Sequence, residues 1–226
     1  MKPDSKDNKS PRKILIVDDH PLTRRGMAQL ISQETDLSVC GEAGDADRAV
    51  SMVGSLKPHL VIVDVTLPGK PGLELIKELR TFFPEILLLV VSMHDESLYA
   101  ERALRAGARG YLMKNEGGDK LLDAIRHVLS GKVYLSESLS DQILDLFSTG
   151  RPRRNKTPMG QLTDREFEVF QFIGQGLTTR EMSAKLHMSA KTVETHRLHI
   201  RAKLGLKTGP ELIKYAVRWA GARDLI

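Results

Sequence analysis

A chain of 226 residues with 41% apolar content has room for two ordinary domains, each with its own core, and little more. No run approaches the roughly 18 consecutive apolar residues of a membrane span, and a single cysteine, Cys40, excludes an internal disulfide and a cysteine-based zinc cluster. The net charge of +5 is unevenly placed: Arg12 to Gly131 carries 15 Lys/Arg against 17 Asp/Glu, whereas Gly150 to Ile226 carries 15 against 7. A soluble protein of a reducing cytoplasm is expected, with a C-terminal part suited to a polyanionic partner or simply well solvated. The first eleven residues, MKPDSKDNKSP, lack the apolar stretch of a secretory signal and are expected to form a disordered leader.

From Lys13 to Ser130 a short apolar run, a loop and a segment of helical periodicity alternate. The runs are Ile14 to Val17, Leu37 to Cys40, Leu60 to Val63, Ile86 to Val91 and Gly110 to Met113, with helices expected from near Pro21, Ala46, Gly72, Glu96 and Gly118. Continuous apolar strands alternating with helices imply a doubly wound α/β domain, a five-stranded parallel sheet covered on both faces. In such sheets ligand chemistry belongs at the carboxyl ends of the strands.

Those ends carry Asp18 and Asp19, Asp64, Ser92 and Lys114. Clustered carboxylates repel one another unless a cation offsets them, and hard oxygen ligands suit Mg²⁺. A divalent ion beside a carboxylate favours attack on phosphorus, with Asp64 the nucleophile on the central strand, Lys114 a second positive charge and Ser92 a hydrogen-bond donor. Taken singly, Asp18, Asp19 and Ser92 also fit helix capping, and Lys114 a solvated loop. Their convergence on one sheet edge favours chemistry.

The stretches VDDH (17 to 20), DVTLPGKPGLELI (64 to 76), VVS (90 to 92) and ARGYLMK (108 to 114) resemble the receiver domain of two-component response regulators. The resemblance implies that Asp18, Asp19, Asp64 and the backbone carbonyl of Thr66 hold Mg²⁺, that Asp64 is the phosphoacceptor, and that Lys114, Ser92 and Tyr111 are the conserved lysine, switch hydroxyl and switch aromatic. It further implies a sensor histidine kinase as phosphoryl donor. Ser92 would be drawn to the new phosphoryl group and Tyr111 would rotate into the space vacated. Thr66 and His94 fall at the flanking positions that tune the lifetime of the acyl phosphate.

Beyond Gly131, residues Leu139, Ile143, Leu144 and Phe147 have helix-like spacing and suggest a linker helix, followed by a flexible basic tether, STGRPRRNKTPMG. The expected division is leader 1–11, receiver 12–131, linker 132–158 and a DNA-binding domain 159–226.

The last part reads as a small all-α domain of four helices. Thr163 and Glu166 form a capping-box start for a helix with Phe167, Phe170 and Ile173 on one face. A second helix spans Arg180 to Leu186. A turn near His187 to Ser189 leads into a third running to Leu204 before Gly205, and a fourth runs from Pro210 to Ala220. The second and third form a helix-turn-helix whose latter helix enters the major groove. LTDREFEVFQFIGQGLTTREMSAKLHMSAKTVETHRLHIRAKLGL (162 to 206) resembles the LuxR-type module, and residues 12 to 226 together resemble the NarL/FixJ class.

By that resemblance Lys191, Thr192, Glu194 and Thr195 are expected at the groove, with Arg197, Arg201 and Lys203 at phosphates and His196 among the DNA-binding residues of the same helix. Glu194 would accept from cytosine or orient a neighbouring arginine. Val193, Leu198 and Ile200 are expected in the core, with contact to a thymine methyl the alternative for Leu198, which lies close to the turn. The His196 and His199 pair offers two metal ligands with no third in evidence. Leu212, Ile213, Tyr215 and Ala216 of the last helix would form a homodimer matching two-fold DNA half-sites. RNA polymerase is a further partner of the implied transcription factor.

Two other readings fit part of the pattern. A haloacid-dehalogenase-type phosphatase needs a second aspartate where Thr66 stands, and GLKTG (205 to 209) lacks P-loop spacing, so an enzyme beyond self-phosphorylation and slow autodephosphorylation is not expected. The alternative is a receiver-like factor that binds DNA independently of phosphorylation.

Overall fold

The computed structural model describes residues 10–137, 139–140 and 158–221, and the chain divides into two compact units, Met1–Ser140 and Asp141–Ile226. Most of the expected leader and tether, and residues Ile143, Leu144 and Phe147 of the expected linker helix, lie outside the described residues. No helix among the described residues is long and apolar enough to cross a membrane.

The first unit alternates β1 (Arg12–Val17), α1 (Pro21–Ser32), β2 (Leu37–Ala43), α2 (Ala46–Leu56), β3 (Leu60–Val63), α3 (Gly72–Phe82), β4 (Leu87–Ser92), α4 (Glu96–Ala106), β5 (Gly110–Met113) and α5 (Gly118–Leu129). The strands form one parallel sheet in the order β2-β1-β3-β4-β5. All four residues of β3 are fully buried, as are Ile14 to Val17 of β1. Helices on both faces explain why these strands are continuously apolar rather than alternating. Ile14, Ile16, Ile62 and Leu89 pack against Met27 and Ile31 of α1 and Ala124, Ile125 and Val128 of α5. Each such side chain removed from water contributes about 1.5–3 kcal/mol.

All five expected helix starts coincide with observed ones. The largest discrepancy is β2, which runs to Ala43 rather than ending at Cys40. It is an edge strand with five half-buried interior residues, and a register irregularity opposite Ile14/Leu15 carries Gly41 and Glu42 into the ladder. An apolar run is therefore a weak signal there.

Strand order reverses between β1 and β3, which opens a crevice beyond their carboxyl ends. That is where Asp18 and Asp64 emerge.

The second unit comprises α6 (Asp164–Gly174), α7 (Thr179–Lys185), α8 (Ala190–Leu204) and α9 (Gly209–Gly221). Capping boxes start α6 at Thr163/Glu166 and α7 at Thr178/Glu181, and Ser189 caps α8 through the Thr192 amide. Between α7 and α8 the chain reverses through His187, held at φ 51. Gly205, at φ 67, ends α8 in the left-handed conformation that glycine adopts without strain. The core joins Phe170, Met182, Val193, Ile200, Leu212 and Ala216, with the Phe170 ring 5.3 Å from Trp219 and 6.0 Å from Tyr215.

Two expectations about packing are corrected. Leu198, expected in the core, is 56% exposed on α8, because the buried stripe at Val193 and Ile200 points the opposite way. Leu212 and Ala216, expected at a dimer interface, are fully buried; the exposed apolar residues of α9 are Ile213 and Val217.

Candidate functional site

The crevice is built from main chain first. The Asp64 amide donates to the Val17 carbonyl at 2.9 Å and the Asp18 amide to Ala43 at 3.1 Å, so both carboxylates leave the sheet from its last ladder positions. Gly72 opens α3 directly beneath: its amide donates to Val65 at 2.8 Å, and a Cβ there would lie 1.9 Å from the Asp64 carbonyl oxygen. Only glycine lets the helix approach this closely. Arg24 of α1 donates to the Asp18 carbonyl and, at 3.1 Å, to Glu42, fixing the start of the acidic loop.

Lys114 follows β5 and brings its ammonium 2.6 Å from Asp64 Oδ2 and 2.7 Å from Asp18 Oδ2. The three side chains are almost completely buried, at 6%, 4% and 1% exposure for Lys114, Asp64 and Asp18. Burial raises the Asp64 pKa above the ordinary carboxylate value and the Asp18 charge adds to this, while Lys114 and the Ser92 hydroxyl oppose it. Burial alone would lower the pKa of Lys114, but Asp64 and Asp18 outweigh it and hold the ammonium more firmly protonated than usual.

The alternative of simple capping is not what these residues do. The N-cap of α1 is His20 and that of α4 is Asp95, so neither the acidic pair nor Ser92 caps a helix.

Ser92 is fully buried and accepts the His94 amide at 3.3 Å. Tyr111 is also buried, its hydroxyl donating to the His94 carbonyl at 2.8 Å. The His94 imidazole spans to Thr66, Nε2 to Oγ1 2.8 Å, and lies 4.6 Å from the Tyr99 ring. Burial, with the Lys114 charge adding, pushes its pKa down to about 4, so the ring is neutral at physiological pH. The flanking positions Thr66 and His94 are therefore one hydrogen-bonded unit, a pairing that their separation in sequence hides.

The donor set fits a hard divalent cation. Single ligand atoms of Asp18, Asp19, His20 and Asp64 lie within 4.8 Å of one another. Asp18 Oδ2 is held by Lys114 at 2.7 Å, whereas Asp19 Oδ1 is buried without a hydrogen bond, with the His20 Nδ1 2.7 Å away. A buried carboxylate oxygen left this way calls for a positive partner. His20, Arg24 and Gly72 are participants that sequence reasoning did not single out. His20 was visible in VDDH and Gly72 in the KPG turn, whereas nothing local marks Arg24.

In the second unit Lys191, Thr192, Glu194 and Thr195 are exposed along the N-terminal half of α8. Glu194 accepts from Thr179 of α7 at 2.6 Å and lies 3.6 Å from Arg197, which itself donates to Thr179 at 3.1 Å. Glu194 is thus placed to orient Arg197. Lys203 pairs with Glu166 at 2.6 Å, Arg201 donates to the Lys207 carbonyl at 2.8 Å, and His196 is half-buried with its Nδ1 enclosed. These side chains brace the domain in the described structure. His196 and His199 belong to no metal-ligating cluster among the described residues.

Two segments of the chain match known families. Residues 14–126 match the response regulator receiver domain family, and residues 160–216 match the bacterial regulatory proteins of the luxR family. The chain is 36% identical over 210 residues to the oxygen regulatory protein NreC of Staphylococcus aureus, covering 91% of this chain and 97% of that protein. A LuxR-family two-component response regulator from Aurantimonas is 33% identical with a TM-score of 0.57, over 62% of this chain and 99% of that one. RcsB of Salmonella enterica serovar Typhimurium, solved on promoter P1flhDC with the phosphomimetic BeF₃⁻, is 25% identical with a TM-score of 0.60, over 91% and 98% of the two chains. With its parallel-sheet receiver domain and its LuxR-type helix-turn-helix, this chain belongs to the NarL/FixJ class of response regulators, the transcription factors of two-component systems.

Proposed function

We propose that Asp64 accepts a phosphoryl group from a sensor histidine kinase in a Mg²⁺-dependent step, and that this controls dimerisation and sequence-specific DNA binding. The observation that carries the reading is a buried Asp64 with Lys114 at 2.6 Å, Ser92 alongside and the acidic pair opposite.

A carboxylate oxygen of Asp64 attacks phosphorus, the O–P bond forms as the P–N bond of the donor phosphohistidine breaks, and the freed imidazole keeps the electron pair. Asp18, Asp19, Asp64 and the Thr66 carbonyl would hold Mg²⁺, which when bound supplies positive charge to the transferring phosphoryl oxygens. Lys114, released from Asp18, would bring a second positive charge to the same oxygens. Ser92 turns its hydroxyl from the His94 amide to the phosphoryl group. The 93–95 loop then loses one of its ties, and the Tyr111 hydroxyl on the His94 carbonyl carries the change to β5 and α4.

On the output side, Lys191, Thr192 and Thr195 face the groove, with Arg197 on phosphate and positioned by Glu194. A second copy would cover Ile213 and Val217, which are 44% and 49% exposed on α9. That the related RcsB was solved on a promoter with a phosphomimetic supports the pairing of a phosphorylated receiver with DNA. The test is DNA selection from a random pool with and without Mg²⁺ and a small acyl phosphate, followed by binding and sedimentation on the selected site. Tighter binding and dimer formation on phosphorylation, both lost in Asp64→Asn, are expected. Equal binding in all conditions would favour the phosphorylation-independent factor.

A further inference from the structure

We infer that Glu96 and Ser136 form a latch that pins the linker to α4, and that phosphorylation of Asp64 opens it. The inference rests on the phosphoacceptor reading above and extends it to the segment that leads, in sequence, toward the DNA-binding domain.

β5 is an edge of the sheet, paired with β4 on one side. After α5 the chain returns to cover its open side. Tyr134 forms a parallel bridge to Gly110, its amide donating to the Arg109 carbonyl and its carbonyl accepting the Tyr111 amide, both at 3.0 Å. Gly110 admits this approach, since a Cβ there would lie 3.0 Å from the Tyr134 carbonyl oxygen and 3.1 Å from the Tyr134 Cβ. The Tyr134 ring packs against the receiver core and stands edge-on to His127 of α5, with centroids 5.8 Å apart. Backbone pairing and a packed ring together make Tyr134 a fixed anchor.

At Ser136 the attachment changes in kind. Its amide donates to a Glu96 carboxylate oxygen at 2.9 Å, a side-chain contact to the first residue of α4 in place of a backbone ladder. Ser136 is also where helical hydrogen bonds of the linker begin: its hydroxyl accepts the Leu139 amide at 3.3 Å and its carbonyl the Ser140 amide at 3.0 Å. The linker is therefore tied to the receiver through a carboxylate that stands beside the switch loop.

That carboxylate follows the loop. Ser92 holds the His94 amide at 3.3 Å, the Tyr111 hydroxyl donates to the His94 carbonyl at 2.8 Å, and Asp95 caps α4 through the Ser97 amide at 2.8 Å. When the Ser92 hydroxyl turns to a phosphoryl group, residues 93–95 lose a tie and the first turn of α4 shifts with them. A hydrogen bond weakens steeply once stretched or misaligned. Glu96 withdraws from Ser136, while Tyr134 stays bound to the β5 backbone and serves as the hinge.

The full-length protein would be followed by residue-resolved amide hydrogen exchange, before and after incubation with Mg²⁺ and a small acyl phosphate, with phosphoryl uptake checked by intact mass. Ser136 exchange should be slow in the unphosphorylated wild type and accelerate about tenfold or more on phosphorylation, the scale of a hydrogen bond to a charged acceptor. The Tyr111 and Tyr134 amides should change less than about threefold. Glu96→Ala should show the fast Ser136 exchange before any phosphoryl group arrives, and no further acceleration after it. Glu96→Gln, which keeps a carbonyl acceptor and the side-chain length, should fall between; protected Tyr111 and Tyr134 amides in either variant show that the receiver is folded. Slow Ser136 exchange in Glu96→Ala would overturn the latch. Equal Ser136 exchange with and without a phosphoryl group on Asp64 would overturn its opening while leaving the phosphoacceptor intact. Folded wild type that takes up no phosphoryl group would overturn the phosphoacceptor and the opening together.

Discussion

Replacing Lys114 by methionine removes one charge from a buried triad while roughly keeping its volume. Asp18 and Asp64 would be left facing each other at 1% and 4% exposure with no cation between them. Removing one partner of a buried ion pair costs about 3–5 kcal/mol, a large share of the roughly 5–15 kcal/mol that holds a domain folded. With a urea dependence of about 1–3 kcal/mol per molar, the receiver midpoint should fall by at least about 1 M. Far-UV circular dichroism follows both domains, whereas fluorescence of Trp219, the single tryptophan, reports the DNA-binding domain alone. The receiver transition should move and the fluorescence transition should not. Mg²⁺ at about a hundred times its dissociation constant adds about 2.7 kcal/mol by linkage, so the variant should recover most of its loss. A metal-free loss below about 1 kcal/mol would refute the claim that Lys114 compensates two buried carboxylates.

Asp64→Asn should behave in the opposite sense without metal. The raised folded-state pKa means that ionised Asp64 disfavours folding, a penalty absent below the ordinary carboxylate pKa and growing as pH rises through the folded value. The variant's melting temperature should therefore gain on the wild type across that window in chelator, and the gain should shrink in Mg²⁺. Gly72→Ala should cost about 1–3 kcal/mol by overpacking against the Asp64 carbonyl, and phosphorylation should slow with it; an unchanged melting temperature would show that α3 can shift at no cost. Burial pushes Glu166 up, but its hydrogen bonds from Lys203 and Thr163 outweigh this and hold the carboxyl below its usual range. Its contribution is present above the ordinary glutamate pKa and lost as pH falls through the folded value, so Glu166→Gln should flatten the acid dependence of the Trp219 transition.

The receiver was legible because its signals are local. Five apolar runs, the Pro and Gly punctuation, and polar residues at strand ends give sheet, helix starts and acidic site together, since both faces of a parallel sheet demand continuous apolar strands. Edge strand β2 blurred for the same reason in reverse: half its surface is wet, so Gly41 and Glu42 do not read as strand. What stayed hidden depends on contacts distant in sequence. The Thr66–His94 bond joins residues 28 apart, and the brace from Arg24 to Asp18 and Glu42 is set by how α1 lies against β2. In the DNA-binding domain the helices were legible from caps and periodicity, but side-chain commitments were not. The pairing of Lys203 with Glu166 depends on where α6 lies, and Leu212 and Ala216 look like interface until they are seen fully buried beside Phe170.

The central claim is that Asp64 is a metal-dependent phosphoacceptor. Its most direct test is to incubate the full-length protein with Mg²⁺ and a small acyl phosphate, trap the acyl phosphate with borohydride, and map the modified peptide by mass spectrometry, with Asp64→Asn and a chelated sample alongside. Modification confined to Asp64, and lost in both controls, is the expected result. Folded protein that takes up no phosphoryl group, or takes it up equally in Asp64→Asn, would contradict the account.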